Sequence, residues 1–341
     1  MKVRKSNFEL FRILSAFMIV MHHYVVHSEW NFGENLSIKP IFLDIVGSAG
    51  KFGVNCFLLI SGYFLVNKAF KPKKLLNLWL QVFFYSICIF LIFAFFGKDP
   101  SILNVKNLIV VSFPITFQQY WFISSYVLLY CLSPFLNILV VNMKKKQHVF
   151  LLIFLLMYLS IKPVISLLVM NHGGTESGMW FSFIYLIAAY IKMYPESFAK
   201  SSKSYFIKSV VVFAIIIFLI VLLAVHNDQS ENVLSKGLLM DIQSPLYLLL
   251  AILLFCGFKN WDVGEIPVVN LFGSATLGVY LIHDNNYIRY YLWKVLTAFK
   301  VSYNGINLVL TSALIIIIVY IVCSIIDILR QKLFILMRIG T

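Results

Sequence analysis

The sequence predicts an all-α polytopic membrane protein with about ten transmembrane helices. Of its 341 residues, 61% are hydrophobic and only 12% are charged, about half the charged fraction of a soluble domain. The mean hydropathy is +0.89. A spanning helix needs about 20 apolar residues. Apolar windows of about that length lie at 8–27, 46–66, 75–96, 120–141, 148–169, 179–193, 206–226, 237–257, 267–287 and 306–329. We therefore expect one membrane domain over residues 1–341 and no separate soluble domain.

The distribution of basic residues predicts the orientation. Ten spans place both termini on the same side of the bilayer, and Lys and Arg favour the loops on that side by about two to one. The positive-inside rule then puts both termini in the cytoplasm. It also explains the net charge of +14 without a nucleic-acid partner, and we expect none.

The cysteines predict neither a disulfide framework nor a zinc site. There are five, an odd number, and all lie in apolar segments: Cys56, Cys88, Cys131, Cys256 and Cys323. We expect them to behave as small hydrophobic side chains. The pair His172 and Glu176 lies in a glycine-rich stretch and does not make a metal site on its own. We expect no metal.

The first predicted span, FRILSAFMIVMHHYVV, carries costly polar residues at both ends. Eleven helical steps separate Arg12 from His23, which leaves them about 20° apart on the helical wheel and roughly 16 Å apart along the axis. His22 lies about 80° off that face. The stripe suits a long substrate with an anionic head, such as an acyl-CoA. Alternatively, Arg12 snorkels to lipid phosphates and the histidines bond neighbouring helices.

The start of the same span carries a sequence pattern typical of a helix cap. Ser6-Asn7-Phe8-Glu9 fits a capping box, with Ser6 at the N-cap and Glu9 at N3. Glu9 also precedes Arg12 by about one turn and could pair with it.

Polar positions in other spans allow a functional and a structural interpretation. The Lys68–Lys74 loop after the second span could bind phosphates or act as a topology signal near anionic lipids. His283 and Asp284 are predicted at a depth similar to that of His23, where they would share a polar cavity or mark the interfacial end of a helix. Trp121 fits an aromatic belt or a sugar-stacking role.

Five segments together resemble acyltransferase family 3, bacterial membrane O-acyltransferases with ten core spans that often modify cell-surface polysaccharides. The resemblance is carried by Glu9-Leu10-Phe11-Arg12, by the spacing of ten residues between Arg12 and His23, and by GVNCFLLISGYFL at 53–65. YWFISSYVLLYCLSP at 120–134 and SATLGVYLIHD at 274–284 complete the set.

The resemblance implies roles for individual residues. His23 would be the catalytic histidine and general base, and Arg12 would hold the CoA donor. The acceptor would approach from the opposite side. The resemblance implies four further residues near the donor: Ser61, Tyr63, Lys73 and Lys74. We also expect three residues near the acceptor: Trp121, His283 and Asp284. The family usually has arginines after the SGY segment, and the lysines here lack the bidentate fork of arginine.

The implied reaction moves an acyl group, by default acetyl, from cytoplasmic acetyl-CoA to a hydroxyl of an extracytoplasmic or lipid-linked saccharide. The enzyme would sit among the lipids of the bacterial plasma membrane, with polysaccharide-synthesis proteins as further partners. The sequence leaves two alternatives open. One is a transporter or flippase for a polysaccharide precursor, and the other is an inactive subunit of a synthesis complex.

Overall fold

A computed structural model describes residues 5–30, 37–97, 100–170, 177–230, 234–297 and 305–339. The described residues form α-helices joined by turns, with no strand among them. A π-helical turn, Met157–Ile161, joins α6 to α7. The helices are α1 Ser6–Val26, α2 Ile38–Leu65, α3 Pro72–Phe96, α4 Val105–Ser112, α5 Trp121–Asn142, α6 Lys145–Leu156, α7 Lys162–Met170, α8 Ser177–Met193, α9 Ser202–Gln229, α10 Gly237–Met240, α11 Pro245–Lys259, α12 Pro267–Ser274, α13 Thr276–His283, α14 Asn286–Leu296 and α15 Gly305–Leu336.

The apolar helices make this chain an integral membrane protein. Within the described residues, seven helical stretches are long and apolar enough to cross a bilayer, and three shorter apolar stretches span 178–193, 245–259 and 267–283. Many large apolar side chains on α3, α5, α9 and α15 are exposed on the protein surface, as lipid-facing residues are. The all-α prediction is confirmed. The count of ten spans and the cytoplasmic termini stay predictions.

Helices α1 and α2 pack together closely because α2 presents glycines to α1. A Cβ atom added to Gly50 would lie 2.2 Å from the Cβ of His22, and one added to Gly53 would lie 3.0 Å from the Cβ of Met18. Small residues permit this approach in membrane helices, where close packing drives association. Their contact brings the histidines of α1 against the middle of α2.

Helix α13 is fixed by a buried carboxylate on α15. Asp327 is fully buried and accepts hydrogen bonds from Tyr85 at 2.7 Å, Arg330 at 2.9 Å and Gln331 at 2.8 Å. A Cβ atom added to Gly278 of α13 would lie 2.1 Å from Cγ of Asp327, so only glycine fits there. This packing sets the height of His283, the last residue of α13.

The predicted capping box at the start of α1 is wrong. No side chain caps the helix there. Ser6 instead contacts the segment that leads into α12, accepting from the backbone N–H of Ile266 at 2.8 Å and donating to Asn270 at 2.9 Å. Glu9 pairs with Arg12 at 2.6 Å, the alternative that the sequence allowed. Ser6 therefore uses its hydroxyl for contacts with the α12 region and not for a cap on its own helix. All five cysteines are free, as the sequence predicted.

Candidate active site

Two adjoining cavities lie between α1, α2, α5 and α12–α13. We call the larger, about 380 Å³, the arginine cavity. We call the smaller, about 160 Å³, the histidine cavity. Polar residues of the arginine cavity include Arg12, Ser61, Lys74, Asn77, Gln81 and Ser274. Those of the histidine cavity include His22, His23, Lys51, Tyr280 and His283, with Trp121 beside them.

Four residues line both cavities, and we call them the neck: Phe57, Phe122, Thr276 and Leu277. The rings of Phe57 and Phe122 meet edge to face, with centroids 5.8 Å apart. A shared and largely apolar wall therefore stands between a cavity lined by Arg12 and Lys74 and one lined by imidazoles and Lys51. Arg12 and His23, which the helical wheel put on one stripe, lie on opposite sides of this neck.

The arginine cavity offers positive charge from two helices. Arg12 donates to the carboxylate of Glu9, and its side chain is 27% exposed. Because a guanidinium has five N–H donors in a fixed plane, the pair with Glu9 orients Arg12 and leaves further donors for an anion. Lys74, in the first turn of α3, adds a second cation. The α2 residue Ser61 contributes a hydroxyl to the same wall.

Two residues that the resemblance implied near the donor do not line this cavity. Tyr63 packs against Phe8 and Phe255, with ring centroids 5.9 and 5.4 Å away. Its backbone carbonyl accepts a hydrogen bond from Lys192 of α8 at 2.8 Å, so it belongs to the cap at the end of α2. Lys73 is absent from the cavity wall, although the neighbouring Lys74 is present. The donor roles of Tyr63 and Lys73 stay predictions.

His23 and His283 form a hydrogen-bonded pair across α1 and α13. Nδ1 of His23 lies 2.8 Å from Nε2 of His283, and Nδ1 of His283 lies 2.6 Å from the carbonyl oxygen of Val279. A carbonyl oxygen only accepts, so Nδ1 of His283 carries its proton, and Nε2 of the neutral ring is an acceptor. Nδ1 of His23 must then donate. The structure thus assigns neutral His23 the tautomer whose Nε2 is an unprotonated base.

Asp284 supplies negative charge beside this pair. Its Oδ1 lies 3.7 Å from Nδ1 of His23, 3.3 Å from Nε2 of His27 and 3.3 Å from Nη1 of Arg289. The carboxylate is buried, so its partners fix its position. A carboxylate near a catalytic imidazole stabilises the imidazolium that forms when the base takes a proton.

Tyr120 holds the segment that carries His283 and Asp284. Its hydroxyl donates to the carbonyl oxygen of Leu281 at 2.9 Å and accepts from the side chain of Asn285 at 2.7 Å. Tyr120 is fully buried just before α5. The residue that precedes α5 therefore ties down the end of α13, and the histidine pair gains support from a third element.

The two remaining polar residues that the sequence singled out lie on the wall of the histidine cavity. Nδ1 of His22 makes a short hydrogen bond to the carbonyl oxygen of Gly47 on α2, so its ring also serves the contact between α1 and α2. Trp121 is 42% exposed and packs edge to face against Phe122 and Phe181. An exposed indole face at a cavity wall suits a sugar ring.

Sequence reasoning missed four polar residues of this region. His27 follows His23 by one helical turn, and Arg289 follows Asp284 by five residues, so local spacing could have flagged both. Lys51 stood out as a lysine inside the predicted span 46–66. Tyr120 opens the motif YWFISSYVLLYCLSP, but the motif could not reveal its hydrogen bonds, because its partners Leu281 and Asn285 lie far along the chain.

His23, His27 and Asp284 also place three ligand atoms within 4.8 Å of one another, a spacing that a metal ion could use. Two observations favour a hydrogen-bond network instead. Oδ1 of Asp284 already faces the Arg289 guanidinium, and Nδ1 of His23 donates to His283. We therefore treat the three residues as part of a proton-transfer site. His172 and Glu176 lie outside the described residues.

Comparison with known proteins decides the family. A sequence model of acyltransferase family 3, described as an acyltransferase domain, matches residues 5–328. The chain belongs to acyltransferase family 3. This membership supports acyl transfer at a membrane as the general activity, and the match covers both cavities and the neck. No curated protein and no solved structure matches the chain significantly.

Proposed function

We propose that this family 3 protein transfers an acetyl group from cytoplasmic acetyl-CoA to a hydroxyl of an extracytoplasmic or lipid-linked saccharide. One observation carries the proposal: Arg12 and Lys74 line one cavity, an oriented imidazole lines the next, and the two cavities share the four residues of the neck. This order matches the order of groups in an acyl-CoA, whose phosphates and thioester lie at opposite ends of a long arm.

The arginine cavity would hold the donor. Arg12 and Lys74 would pair with CoA phosphates, and Ser61 would add a hydrogen bond. The thioester end of the pantetheine arm would pass between Phe57 and Phe122 of the neck. The apolar neck suits an acyl thioester and disfavours the charged head, so the phosphates would stay on the donor side.

The histidine cavity would carry out the chemistry. Nε2 of neutral His23 takes the proton of the acceptor hydroxyl while the hydroxyl oxygen attacks the thioester carbonyl carbon. The carbon–sulfur bond breaks, the new ester forms, and the CoA thiolate receives the proton from the imidazolium. His283 fixes the tautomer of His23, and Asp284 stabilises its charged form. Transfer through an acyl-imidazole at Nε2 is the variant of this step.

The acceptor would enter the histidine cavity beside Trp121. We place the enzyme in a bacterial plasma membrane with both termini in the cytoplasm, where acetyl-CoA is available. Acyl groups, not whole donors, would then cross the bilayer. Proteins that build the saccharide would be its functional partners.

Purified protein with radiolabelled acetyl-CoA and a panel of saccharides tests this function. The expected result is label in a saccharide ester, with one CoA released per ester formed. Transport of a saccharide without label transfer would establish the alternative, a transporter or flippase. A hydrogen-bonded histidine pair with a free Nε2 favours the enzyme, because a transporter needs no base of fixed tautomer.

A further inference from the structure

Lys51 of α2 lies on the wall of the histidine cavity, in a span predicted to cross the bilayer. A lysine at membrane depth is costly, and such residues usually face a water-filled cavity and a functional partner. In the part of the chain that the structure describes, no carboxylate lies within ion-pair distance of Lys51. The cavity thus contains a cation whose partner is not a described residue.

Two described carboxylates on this side of the protein are already in ion pairs. Asp44 lies two helical turns before Lys51 on α2 and pairs with Lys236 through both oxygens, at 2.9 and 2.7 Å. Asp284 faces Arg289 and His27. Neither carboxylate is left to neutralise Lys51, which points to an anion that arrives with the substrate.

The position of Lys51 argues against a role at the thioester itself. Its ammonium interacts electrostatically with His22, the residue that packs on Gly47. The titratable neighbours of His23 are Asp284, His283, His22 and His27. A group that stabilised the oxyanion would stand beside the base, whereas Lys51 neighbours His22, one residue and about 100° around α1 from His23. That position suits a charge on the acceptor some atoms away from the reacting hydroxyl.

We propose that the acceptor is an acidic saccharide, whose anionic group pairs with Lys51 while its ring stacks on Trp121 and its hydroxyl meets His23. This inference rests on the proposed function and narrows its substrate class. The anion is a carboxylate, as in a uronic acid, or a phosphate ester. Both would form a charge-assisted hydrogen bond with the Lys51 ammonium.

The test uses one oligosaccharide in three forms: neutral, with a uronic acid, and phosphorylated. Purified full-length protein in detergent is given radiolabelled acetyl-CoA, and kcat/KM is measured for each form. We expect at least one acidic form to exceed the neutral form by about tenfold or more, the value of a hydrogen bond to a charged group. The acidic form with the higher kcat/KM identifies the anion as a carboxylate or a phosphate.

The variant Lys51→Gln should bring the ratio of acidic to neutral kcat/KM close to one, mainly by raising KM for the acidic form. Lys51→Arg should keep most of the ratio because it keeps the charge. Lys39→Gln is the matched control: it removes the same charge from α2 about 18 Å away, outside the cavity, and should leave the ratio unchanged.

Two results would overturn the inference while the proposed function stands. One is wild-type protein that acetylates the neutral form as well as both acidic forms. The other is a Lys51→Gln variant that lowers kcat equally for all three forms and for hydrolysis of acetyl-CoA by water, which would place Lys51 at the oxyanion. Absence of label in every form with wild-type protein would overturn the proposed function itself.

Discussion

The arginine cavity and the histidine cavity adjoin, yet they are built by different means. The arginine cavity has about 380 Å³ and takes its charge from two long side chains, Arg12, which pairs with Glu9, and Lys74. The histidine cavity has about 160 Å³, and hydrogen bonds fix its central groups to α13. The larger cavity is suited to binding, and the smaller one to positioned proton transfer.

The difference shows which side chains must be held in one position. Phosphates carry delocalised charge that a flexible lysine can follow, so a donor site tolerates loose side chains. A general base must present one nitrogen at one place, and in the proposed mechanism His283, which Val279 holds in turn, fixes His23. Substitutions in the histidine cavity should therefore lower kcat, and those in the arginine cavity should raise KM for the donor.

The largest effect is expected at His23. His23→Ala removes the base and should lower acyl transfer by about a thousandfold, within the range for general-base catalysis. His22→Ala removes a hydrogen bond to Gly47 and should cost no more than about fivefold, since such a bond is worth about 1 kcal/mol. Radiolabel transfer by the two purified variants measures both. Equal loss in both would show that the two histidines do not differ in role.

The next effect is expected at His283. His283→Leu leaves Nδ1 of His23 without its acceptor and lets the wrong tautomer form, so kcat should fall by about a hundredfold with little change in KM. His283→Gln can present its amide oxygen near the position of Nε2 and should recover much of that loss. Steady-state kinetics of the two variants distinguish orientation from packing. A glutamine variant as poor as the leucine variant would contradict the tautomer argument.

A smaller effect is expected in the arginine cavity, where two adjacent lysines provide a matched pair. Lys74→Gln removes a cation that lines the cavity and should raise KM for acetyl-CoA by about tenfold with kcat nearly constant. Lys73→Gln removes the same charge outside the cavity wall and should change KM by no more than about twofold. Reversed sensitivities would show that the cavity is not the donor site.

The smallest effect is expected at the neck. Phe57→Ala removes one ring of the neck and should raise kcat/KM for a longer acyl-CoA, such as butyryl-CoA, about fourfold relative to acetyl-CoA, which corresponds to the ~0.8 kcal/mol of one buried methylene group. Competition between the two donors measures the ratio. An unchanged ratio would mean that the acyl group does not pass Phe57.

The sequence predicted the helices and one stripe of the site because both depend on local spacing. Apolar windows gave the helical architecture, and the helical wheel separated His23 from His22 on α1. Residues whose positions depend on a single helix were therefore accessible. Arg12 and His23 needed only the regular geometry of α1.

What the sequence did not predict depends on contacts between helices. The hydrogen bond from His23 to His283 joins residues 260 positions apart, and the support that Tyr120 gives to α13 spans 161 positions. The failed capping box has the same cause, because Ser6 bonds the α12 region instead of its own helix. Sequence spacing likewise could not show that Lys74 enters the cavity while Lys73 does not.

The central claim is that an acyl group passes from one cavity to the other while CoA stays on its own side. Proteoliposomes of uniform orientation test it, with radiolabelled acetyl-CoA outside at the face that carries the termini and an acidic oligosaccharide sealed inside. We expect labelled ester in the lumen and unlabelled CoA outside. The variant His23→Ala should form neither product. Labelled acetyl-CoA in the lumen would contradict this mechanism. So would an ester that forms only when the acceptor and the donor are on the same side of the membrane.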